Sequence, residues 1–358
     1  MSDLNLITAR EAPGGPPPGL GDLSRMRWSA KHPPIDPKVS FAGKTVLVTG
    51  ANTGLGFEAA LKYSALGADK LILGVRSVEK GQAAKDRILA RTGRASSTIV
   101  VLSVDLSDFA SVQAFIPALE SVTSHLDVAL LNAGLCNPSY EATAAGWEIA
   151  VQVNVLATAL MAILLLPLLR TAAATGGTKP PAAAHLTFVN SRGHMTIKDE
   201  WLAKSPDKKS LLAAANDAKT WNPEKSYCLV KLLAMAAMLA IAQASSGSAS
   251  AGPEIIVNAV CPDMTKTDLG RKFGLGARLS MSIFHTIFAR TAEQGARSLV
   301  SATALGPESN GRFWHHDILH PMGDLASDST YMEKTWREIV DVLVKTQPNV
   351  QQILGGRN

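Results

Sequence analysis

Cysteine is scarce in this sequence, which has three cysteines in 358 residues. Cys136, Cys228 and Cys261 lie far apart and form no CxxC pair. The chain therefore lacks the framework of a disulfide-rich secreted protein and the ligand spacing of a cysteine zinc site. We interpret the three residues as reduced thiols and predict a cytoplasmic protein.

Long basic runs and a signal peptide are also missing. The formal net charge is +5 and the isoelectric point is about 9.1, but lysine and arginine are dispersed along the chain. This distribution indicates a mildly basic surface and argues against a nucleic acid partner. The N-terminus has no basic start followed by an apolar block, so nothing in it resembles a secretion signal.

No apolar run is long enough for a typical membrane span. The longest, residues 155–169, is shorter than the roughly 20 residues that cross a bilayer, and it carries Pro167 near its end. The run predicts a helix buried against a sheet and no transmembrane segment. Peripheral membrane association stays open as an alternative.

The composition that is present is typical of a globular enzyme, with 46% hydrophobic and 18% charged residues. Residues 1–40 are rich in proline and glycine and predict an arm that packs on the domain or stays mobile. Residues 41–320 predict the main domain, and 321–358 a C-terminal helix and tail. Two irregular segments within the domain, 195–224 and 265–290, are candidate walls of a substrate site.

Short apolar segments alternate with helical patterns through most of the domain. This rhythm predicts an α/β fold with a single doubly wound parallel sheet, a Rossmann fold with helices on both faces. The predicted strands are 44–49, 71–75, 98–104, 128–132, 185–190 and 255–260. The predicted helices are 56–65, 78–91, 110–122, 153–169, 227–244 and 329–343.

A glycine-rich turn follows the first predicted strand and precedes the first predicted helix of the domain. Gly50 can end the strand in a tight turn, Gly54 lets backbone approach a pyrophosphate, and Gly56 permits close packing as the helix begins. Asn52 is expected to brace the turn through its amide, and Leu55 belongs to the same candidate dinucleotide site. A plain glycine turn is the alternative.

Residues at the next strand ends predict which dinucleotide binds. Arg76 and Lys80 follow the second strand, where a guanidinium complements a 2′-phosphate, so NADP(H) is favoured over NAD(H). Asp105 closes the third strand and is placed to accept from the adenine amino group. Asn132 closes the fourth, where the small residues after it let backbone contact the adenine ribose. Solvated residues, helix caps and turns are the alternatives.

A second motif predicts proton transfer. Tyr227 and Lys231 are four residues apart, so both side chains lie on one face of a helix. An ammonium and a cationic nicotinamide both favour phenolate, so Lys231 is expected to lower the pKa of Tyr227 and to hold the nicotinamide ribose. Ser191 is expected to hydrogen-bond the substrate oxygen. Asn154 is expected to hold a water that passes protons from Lys231, with local hydrogen bonding as the alternative.

These motifs resemble the short-chain dehydrogenase/reductase family in its classical TGxxxGxG and YxxxK form, over residues 44–313. The resemblance implies a catalytic tetrad of Asn154, Ser191, Tyr227 and Lys231. Residues 76–81 and 191–194 are most similar to the retinol dehydrogenase and carbonyl reductase branch. The proline-rich arm and the long insertion resemble fungal members that tailor secondary metabolites.

The sequence departs from the family pattern after the sixth predicted strand. The family usually has Pro-Gly there, whereas this chain has Pro262 followed by Asp263, which puts the backbone at that point in doubt. Thr267 matches the threonine that touches the nicotinamide carboxamide. Val230 stands where the branch often has serine, without an expected catalytic effect.

Three histidines near the C-terminus invite a metal assignment, namely His315, His316 and His320. No spaced set of cysteine, aspartate or glutamate partners accompanies them in the sequence. We therefore predict no metal site and interpret their clustering as chance.

The leading hypothesis is an NADP(H)-dependent oxidoreductase that interconverts a carbonyl and an alcohol on a lipophilic small molecule, in secondary metabolism. One alternative is a lyase, isomerase or cyclase that uses Tyr227 and Ser191 as acid and base, because fold does not determine chemistry. Another is a non-catalytic NADPH sensor with a protein partner. The family resemblance suggests a homodimer, and the sequence does not reveal the substrate.

Overall fold

The computed structural model describes residues 19–175, 183–198, 210–246, 252–267 and 284–356, together with positions 17, 273, 274 and 276. Within these residues one eight-stranded sheet separates two layers of helices. The strands are β1 Thr45–Thr49, β2 Lys70–Val75, β3 Ile99–Ser103, β4 Val128–Leu131, β5 Ala184–Val189, β6 Ile255–Cys261, β7 Phe313–His315 and β8 Ile318–His320.

The helices lie before, between and after these strands, and five of them were not predicted from the sequence: Asp22–Lys31, Leu211–Asn216, Ala292–Ala302, Asp324–Ser327 and Val350–Leu354. In chain order the helices are α1 Asp22–Lys31, α2 Gly54–Ala65, α3 Val78–Thr92, α4 Phe109–Glu120, α5 Ile149–Val151, α6 Thr158–Thr175, α7 Leu211–Asn216, α8 Pro223–Ala244, α9 Ala292–Ala302, α10 Asp324–Ser327, α11 Ser329–Thr346 and α12 Val350–Leu354. The predicted terminal helix is confirmed as α11.

The strand order confirms the predicted doubly wound fold. The order is β3-β2-β1-β4-β5-β6-β7-β8, and neighbours from β3 to β7 pair in parallel. The order reverses between β1 and β4, where ligands bind in such sheets, outside the carboxyl ends of the strands. The sequence did not predict the edge hairpin, in which β7 and β8 pair antiparallel.

Two hydrophobic cores lie on opposite faces of the sheet. Along β1, Leu47 faces one core while Val46 and Val48 face the other, as the two-residue period of a strand requires. The first core includes α6, α8 and the C-terminal α11, and the second includes α2, α3 and α9. Because both faces are covered, most strand residues are apolar on both sides of the sheet.

Two helices of the first core are apolar and long enough to cross a membrane by length and composition alone. They are Ile149–Ala174 and Lys225–Ala244. In the first, 94% of the most apolar window is buried inside the protein, and in the second 67% is buried. Packing against the sheet accounts for the apolar composition that the sequence reveals.

The helix that leads into the first core is longer than the predicted 153–169. It begins at Ile149 because the carboxylate of Glu148 accepts from the backbone N–H groups of Ala150 and Val151, at 2.8 and 3.0 Å. A π-helical segment, Gln152–Ala157, joins α5 to α6. Single π-helical turns of this kind occur frequently at functional sites.

The described part of the proline-rich arm contains a helix. Helix α1 occupies Asp22–Lys31, and its Ser29 is buried against the body of the protein. Of the two predicted substrate walls, residues 199–209 and most of 268–283 lie outside the described residues. The described part of the first wall contains α7.

Candidate active site

The glycine-rich turn between β1 and α2 depends on missing side chains at two points. Gly50 has φ of 67°, and a Cβ there would lie 3.0 Å from the Cα of Ala133. A Cβ on Gly56 would lie 2.3 Å from the carbonyl oxygen of Gly50, a backbone atom that cannot move aside. Backbone N–H groups of the turn therefore lie at the N-terminus of α2, and this geometry suits a pyrophosphate.

Asn132, at the end of β4, braces this turn. Its Nδ2 donates to the carbonyl oxygen of Thr49 at 2.9 Å, and the backbone N–H of Asn132 donates to the Thr49 hydroxyl at 3.0 Å. The expected brace was Asn52, but within the described residues no hydrogen bond of the Asn52 side chain is found. The predicted role of Asn132 at the adenine ribose stays a prediction.

Arg76 and Lys80 lie where the sequence placed them, just beyond the carboxyl end of β2. Both side chains are exposed, and neither forms an ion pair with any residue that the structure describes. Helix α3 begins between them, capped by Ser77, whose side chain accepts from the backbone N–H of Lys80 at 3.3 Å. A free guanidinium next to the β1 turn suits a phosphate on the adenine ribose.

Asp105, just beyond β3, has a local role that the sequence analysis gave as the alternative. Its Oδ1 accepts from the backbone N–H of Ser107 at 2.9 Å and from the hydroxyl of Ser107 at 2.7 Å. Within the described residues the second carboxylate oxygen has no hydrogen bond, so it is available to accept from an adenine amino group.

The chemical half of the site lies at the carboxyl ends of β5 and β6. The Ser191 side chain is near enough to the Tyr227 phenol to lower its pKa, and the Ser191 Oγ accepts from the backbone N–H of Gly193 at 3.1 Å. Lys231 lies one helical turn from Tyr227, with its Nζ 5.6 Å from the centre of the phenol ring. The structure thus brings these three predicted residues together.

The ionisation of this group in the protein alone is dominated by burial. Burial raises the pKa of Tyr227, and the nearby Ser191 side chain opposes this only in part. Burial lowers the pKa of Lys231 to about 8, and its Nζ donates to the carbonyl oxygen of Val189 at 2.8 Å. The prediction that Lys231 and a cationic nicotinamide together favour the phenolate concerns the cofactor complex and stays a prediction.

Asn154 has its side chain committed to the neighbouring loop. Its Oδ1 accepts from the backbone N–H of Leu135 at 2.8 Å, and its Nδ2 donates to the carbonyl oxygen of the same residue at 2.7 Å. Asn154 lies in the π-helical segment and closes the loop that follows β4. The expected water-holding side chain is instead a brace, which corresponds to the local hydrogen bonding that we gave as the alternative.

The three cysteines, far apart in sequence, all lie within electrostatic range of the phenol. Cys136, Cys228 and Cys261 each contribute to the raised pKa of Tyr227. Each is a free thiol. Burial raises the pKa of Cys136 and of Cys261 to about 11, so both stay protonated. The surroundings of the phenol are therefore weakly polar.

The turn Pro262–Thr267 joins the two halves of the site. Thr267 lies beside the glycine-rich turn, since a Cβ on Gly54 would lie 3.6 Å from its side chain. Asp263 has φ of 64°, the left-handed conformation that glycine adopts readily. The unusual Asp263 therefore keeps a glycine-like backbone.

Comparison with known proteins identifies this arrangement. A family model described as short chain dehydrogenase matches residues 44–178. Short-chain dehydrogenase/reductase ffsI of Aspergillus flavipes is 42% identical over 340 residues, 94% of this chain and 96% of the relative. Short-chain dehydrogenase/reductase phmF of Phaeosphaeria nodorum is 40% identical over 342 residues, 95% of this chain and 98% of the relative. The chain belongs to the short-chain dehydrogenase/reductase family.

Solved structures agree with the fold of this short-chain dehydrogenase/reductase. An NADPH-bound carbonyl reductase from chicken fatty liver matches with a TM-score of 0.56 and 20% identity, over 78% of this chain and 98% of that chain. Pseudomonas aeruginosa RhlG, in an active-site complex with NADP, matches with a TM-score of 0.56 and 21% identity, over 77% and 95%. The family consists of oxidoreductases that use nicotinamide cofactors.

The glycine cradle and the Tyr227 group of this short-chain dehydrogenase/reductase fit such a cofactor. One residue that links the Ser191 strand to the Tyr227 helix was not predicted from the sequence. Asn190, the residue before Ser191, is buried, and its Nδ2 donates to the backbone carbonyl oxygen of Lys231 at 3.1 Å. Only its position at a strand end, directly before the candidate serine, could have pointed to it.

The histidines of the dehydrogenase do have an acidic partner. Potential ligand atoms of Asp263, His315 and His316 lie within 4.8 Å of one another, so the expectation that no acid accompanies them is wrong. Arg290, however, donates from Nη2 to Nδ1 of His316 at 2.8 Å. The proton of the neutral imidazole then lies on Nε2, which donates to Asp263 and cannot bind a metal.

Proposed function

We propose that this protein is an NADP(H)-dependent oxidoreductase that interconverts a carbonyl and an alcohol on a lipophilic small molecule. The observation that carries the proposal is the convergence of Ser191, Tyr227 and Lys231, with the Lys231 Nζ 5.6 Å from the centre of the phenol ring. These groups follow the carboxyl ends of the strands, on the same side of the sheet as the glycine-rich turn between β1 and α2. A bound nicotinamide supplies the hydride.

The residues of the site supply the proton and the orientation. Because burial raises the pKa of Tyr227, the phenol keeps its proton at neutral pH and is ready to donate it to a nascent alkoxide. Ser191 is within reach of the same oxygen and orients the carbonyl. In the reverse direction the deprotonated Tyr227 accepts the proton of the alcohol. Lys231 holds positive charge beside the phenolate that remains after donation.

NADP(H) rather than NAD(H) is proposed because Arg76 and Lys80 carry exposed positive charge just beyond β2. Two oxygens of a 2′-phosphate match the fork of a guanidinium. Bound NADP in solved relatives of the same fold supports this choice. The residues present fit the cofactor at the turn as well, since Gly56 lets α2 begin in close contact with Gly50 and Asn132, so that backbone N–H groups at the helix N-terminus are available to a pyrophosphate.

A lipophilic substrate is proposed because the ionisable groups within electrostatic range of the phenol are thiols, and Cys136 and Cys261 stay protonated. No carboxylate among the described residues contributes to the pKa of Tyr227. A role in secondary metabolism is our inference from the kinship with fungal short-chain dehydrogenases. A cytoplasmic location and a homodimer stay predictions from the sequence.

The test is turnover of NADPH across a panel of lipophilic ketones and aldehydes. Tyr227→Phe removes the proton donor and is expected to lower kcat by about 100-fold to 10,000-fold while NADPH still binds. Tyr63→Phe is the matched control, because it removes a buried hydroxyl that bonds Thr303 away from the site. Full turnover in Tyr227→Phe, or product formed without net oxidation of NADPH, would defeat the proposal.

A further inference from the structure

The N-terminal arm contacts the body of the protein where the backbone is most unusual. Among the described residues, three that are not glycine have positive φ: Asp263 at 64°, His316 at 53° and Asp317 at 57°. Left-handed backbone is unfavourable for residues with a Cβ and persists only where surrounding contacts hold it. All three contact the arm, through Ser29 or the backbone N–H of Ile35.

Ser29 is at the centre of this contact. It is buried in α1, and its hydroxyl donates to the carboxylate of Asp263 and contacts Nε2 of His316. Nε2 of His316 lies 2.8 Å from the same carboxylate. The other oxygen of Asp263 accepts from the backbone N–H of Met264 at 2.8 Å. The carboxylate therefore holds its own left-handed turn on one side and the arm on the other.

Arg290 connects the arm to the 262–267 turn by a second route. Its buried guanidinium donates to the carbonyl oxygen of Ser29 at 2.9 Å and to that of His32 at 3.1 Å. The backbone of Arg290 meanwhile pairs with the turn: its N–H donates to Met264 at 2.8 Å, and its carbonyl accepts from Lys266 at 2.9 Å. One residue thus ties both segments together.

The β7–β8 hairpin holds the arm from a third direction. His316 and Asp317 are the two residues between the strands, and positive φ at both is the pattern of a type I′ turn. Oδ2 of Asp317 accepts from the backbone N–H of Ile35 at 2.8 Å. Trp28 stacks on His32, with ring centres 4.3 Å apart, and its edge meets His316. The arm therefore has contacts at both ends of the segment 28–35, through Trp28 and through Ile35.

The same contact lies close to the catalytic serine. Arg192 follows Ser191, and its pKa is lowered first by burial and then by Arg25 of the arm, while Asp263 raises it. Arg192 is thus within electrostatic range of both the arm and the 262–267 turn. The arm helix consequently lies near the residue that follows Ser191.

We propose that the arm is a working part of the active site: Ser29, held by Asp263, His316 and Arg290, positions the 262–267 turn for the nicotinamide half of the cofactor. These are positioning residues, because they act through Thr267 and its neighbours. The inference rests on the proposed function. It goes beyond it by giving a segment outside the Rossmann fold a defined role in cofactor binding.

The adenine half of the cofactor provides the internal control. The glycine-rich turn and Arg76 precede α2 and α3 and have no contact with Ser29 among the described residues. Loss of the arm contact is therefore expected to weaken NADPH, which reaches the 262–267 turn, but not adenosine 2′,5′-bisphosphate, which ends before it. A general loss of folding would weaken both ligands.

The experiment measures dissociation constants of NADPH and adenosine 2′,5′-bisphosphate for Ser29→Ala and Asp263→Gly in the full-length protein. Asp263→Gly removes the carboxylate but leaves the left-handed backbone accessible, which separates the arm contact from backbone strain. Ser24→Ala, exposed on the same helix, is the matched control. Thermal melts of each variant report folding independently.

We expect each variant to weaken NADPH by about tenfold, with the bisphosphate and the Ser24→Ala protein unchanged. The double variant is expected to weaken NADPH by less than the product of the two single effects, because both substitutions remove the contact between Ser29 and Asp263. Unchanged NADPH binding, or equal weakening of both ligands, would overturn the inference alone. A wild-type protein that binds no NADPH would overturn the proposed function first, and the inference with it.

Discussion

The side-chain amide of Asn190 donates to the backbone carbonyl oxygen of Lys231 at 3.1 Å. Its own oxygen accepts from the backbone N–H of Ser191 at 2.7 Å. One buried side chain therefore joins the end of β5 to the helix that carries Tyr227. The relative position of Ser191 and Tyr227 depends on this link between the end of β5 and helix α8.

Asn190→Ala is expected to lower kcat by about tenfold while the dissociation constant of NADPH changes little, because the glycine-rich turn is untouched. Loss of two buried hydrogen bonds is also expected to lower the free energy of unfolding by about 2 kcal/mol. Steady-state kinetics and denaturant unfolding measure the two effects. Asn258→Ala, in which a buried amide within β6 is lost, is the control. Equal loss of kcat in both variants would contradict the positioning role.

Gly56→Ala is expected to prevent tight binding of NADPH. The new Cβ would lie 2.3 Å from the carbonyl oxygen of Gly50 and 2.4 Å from Nδ2 of Asn132, so the turn must shift. Overpacking of this kind costs about 1–3 kcal/mol. Fluorescence titration with NADPH and a thermal melt test the prediction. Gly21→Ala, where a Cβ meets nothing within 4 Å, should change neither.

Arg76→Glu is expected to reverse the cofactor preference. A carboxylate repels the 2′-phosphate that the guanidinium would bind, so the NADPH-to-NADH ratio of kcat/KM should fall by about 100-fold. Arg337→Glu, an exposed change of the same charge on α11, controls for the altered net charge. If Arg76→Glu left the ratio unchanged, the phosphate-binding role of Arg76 would be rejected.

Lys231 is expected to make stability depend on pH. Its pKa is lowered from 10.5 to about 8 by burial, so between these values the unfolded chain binds a proton that the folded protein has released. The free energy of unfolding should therefore rise with pH across that window because of this residue. Denaturant unfolding of the protein and of Lys231→Met at both ends of the window measures it. The variant should have the smaller slope, and identical slopes would contradict the lowered pKa.

Much of the fold could be predicted because the relevant patterns are local. Short apolar strands alternate with amphipathic helices, and the strand ends agree within a residue or two, as for 71–75 against Lys70–Val75. The glycine spacing predicts the turn because each glycine is required by a positive φ or a close backbone contact within a few residues. The four-residue spacing of Tyr227 and Lys231 places both on one helix face.

The C-terminal hairpin was missed because its strands are three residues long and lack a clear period. Asn52 was expected to brace the glycine-rich turn, but Asn132 does so, 76 residues beyond the last glycine of the turn. Local sequence patterns cannot show which of the two asparagines braces the turn, because either side-chain amide has the right chemistry. Burial of the phenol, which raises the pKa of Tyr227 in the protein alone, could not be predicted for a related reason, since the extent of burial depends on the packing of several elements.

The sequence by itself determined the Rossmann architecture, the glycine-rich turn and the Tyr227–Lys231 pair, because periodicity and short spacings act through the covalent chain. Only the tertiary structure decided that three distant cysteines lie within electrostatic range of Tyr227, that Asn190 bonds the backbone of Lys231, and that Ser29 contacts Asp263 across 234 residues. Contacts at such separations are chosen by the packing of whole helices and strands, which no local pattern encodes.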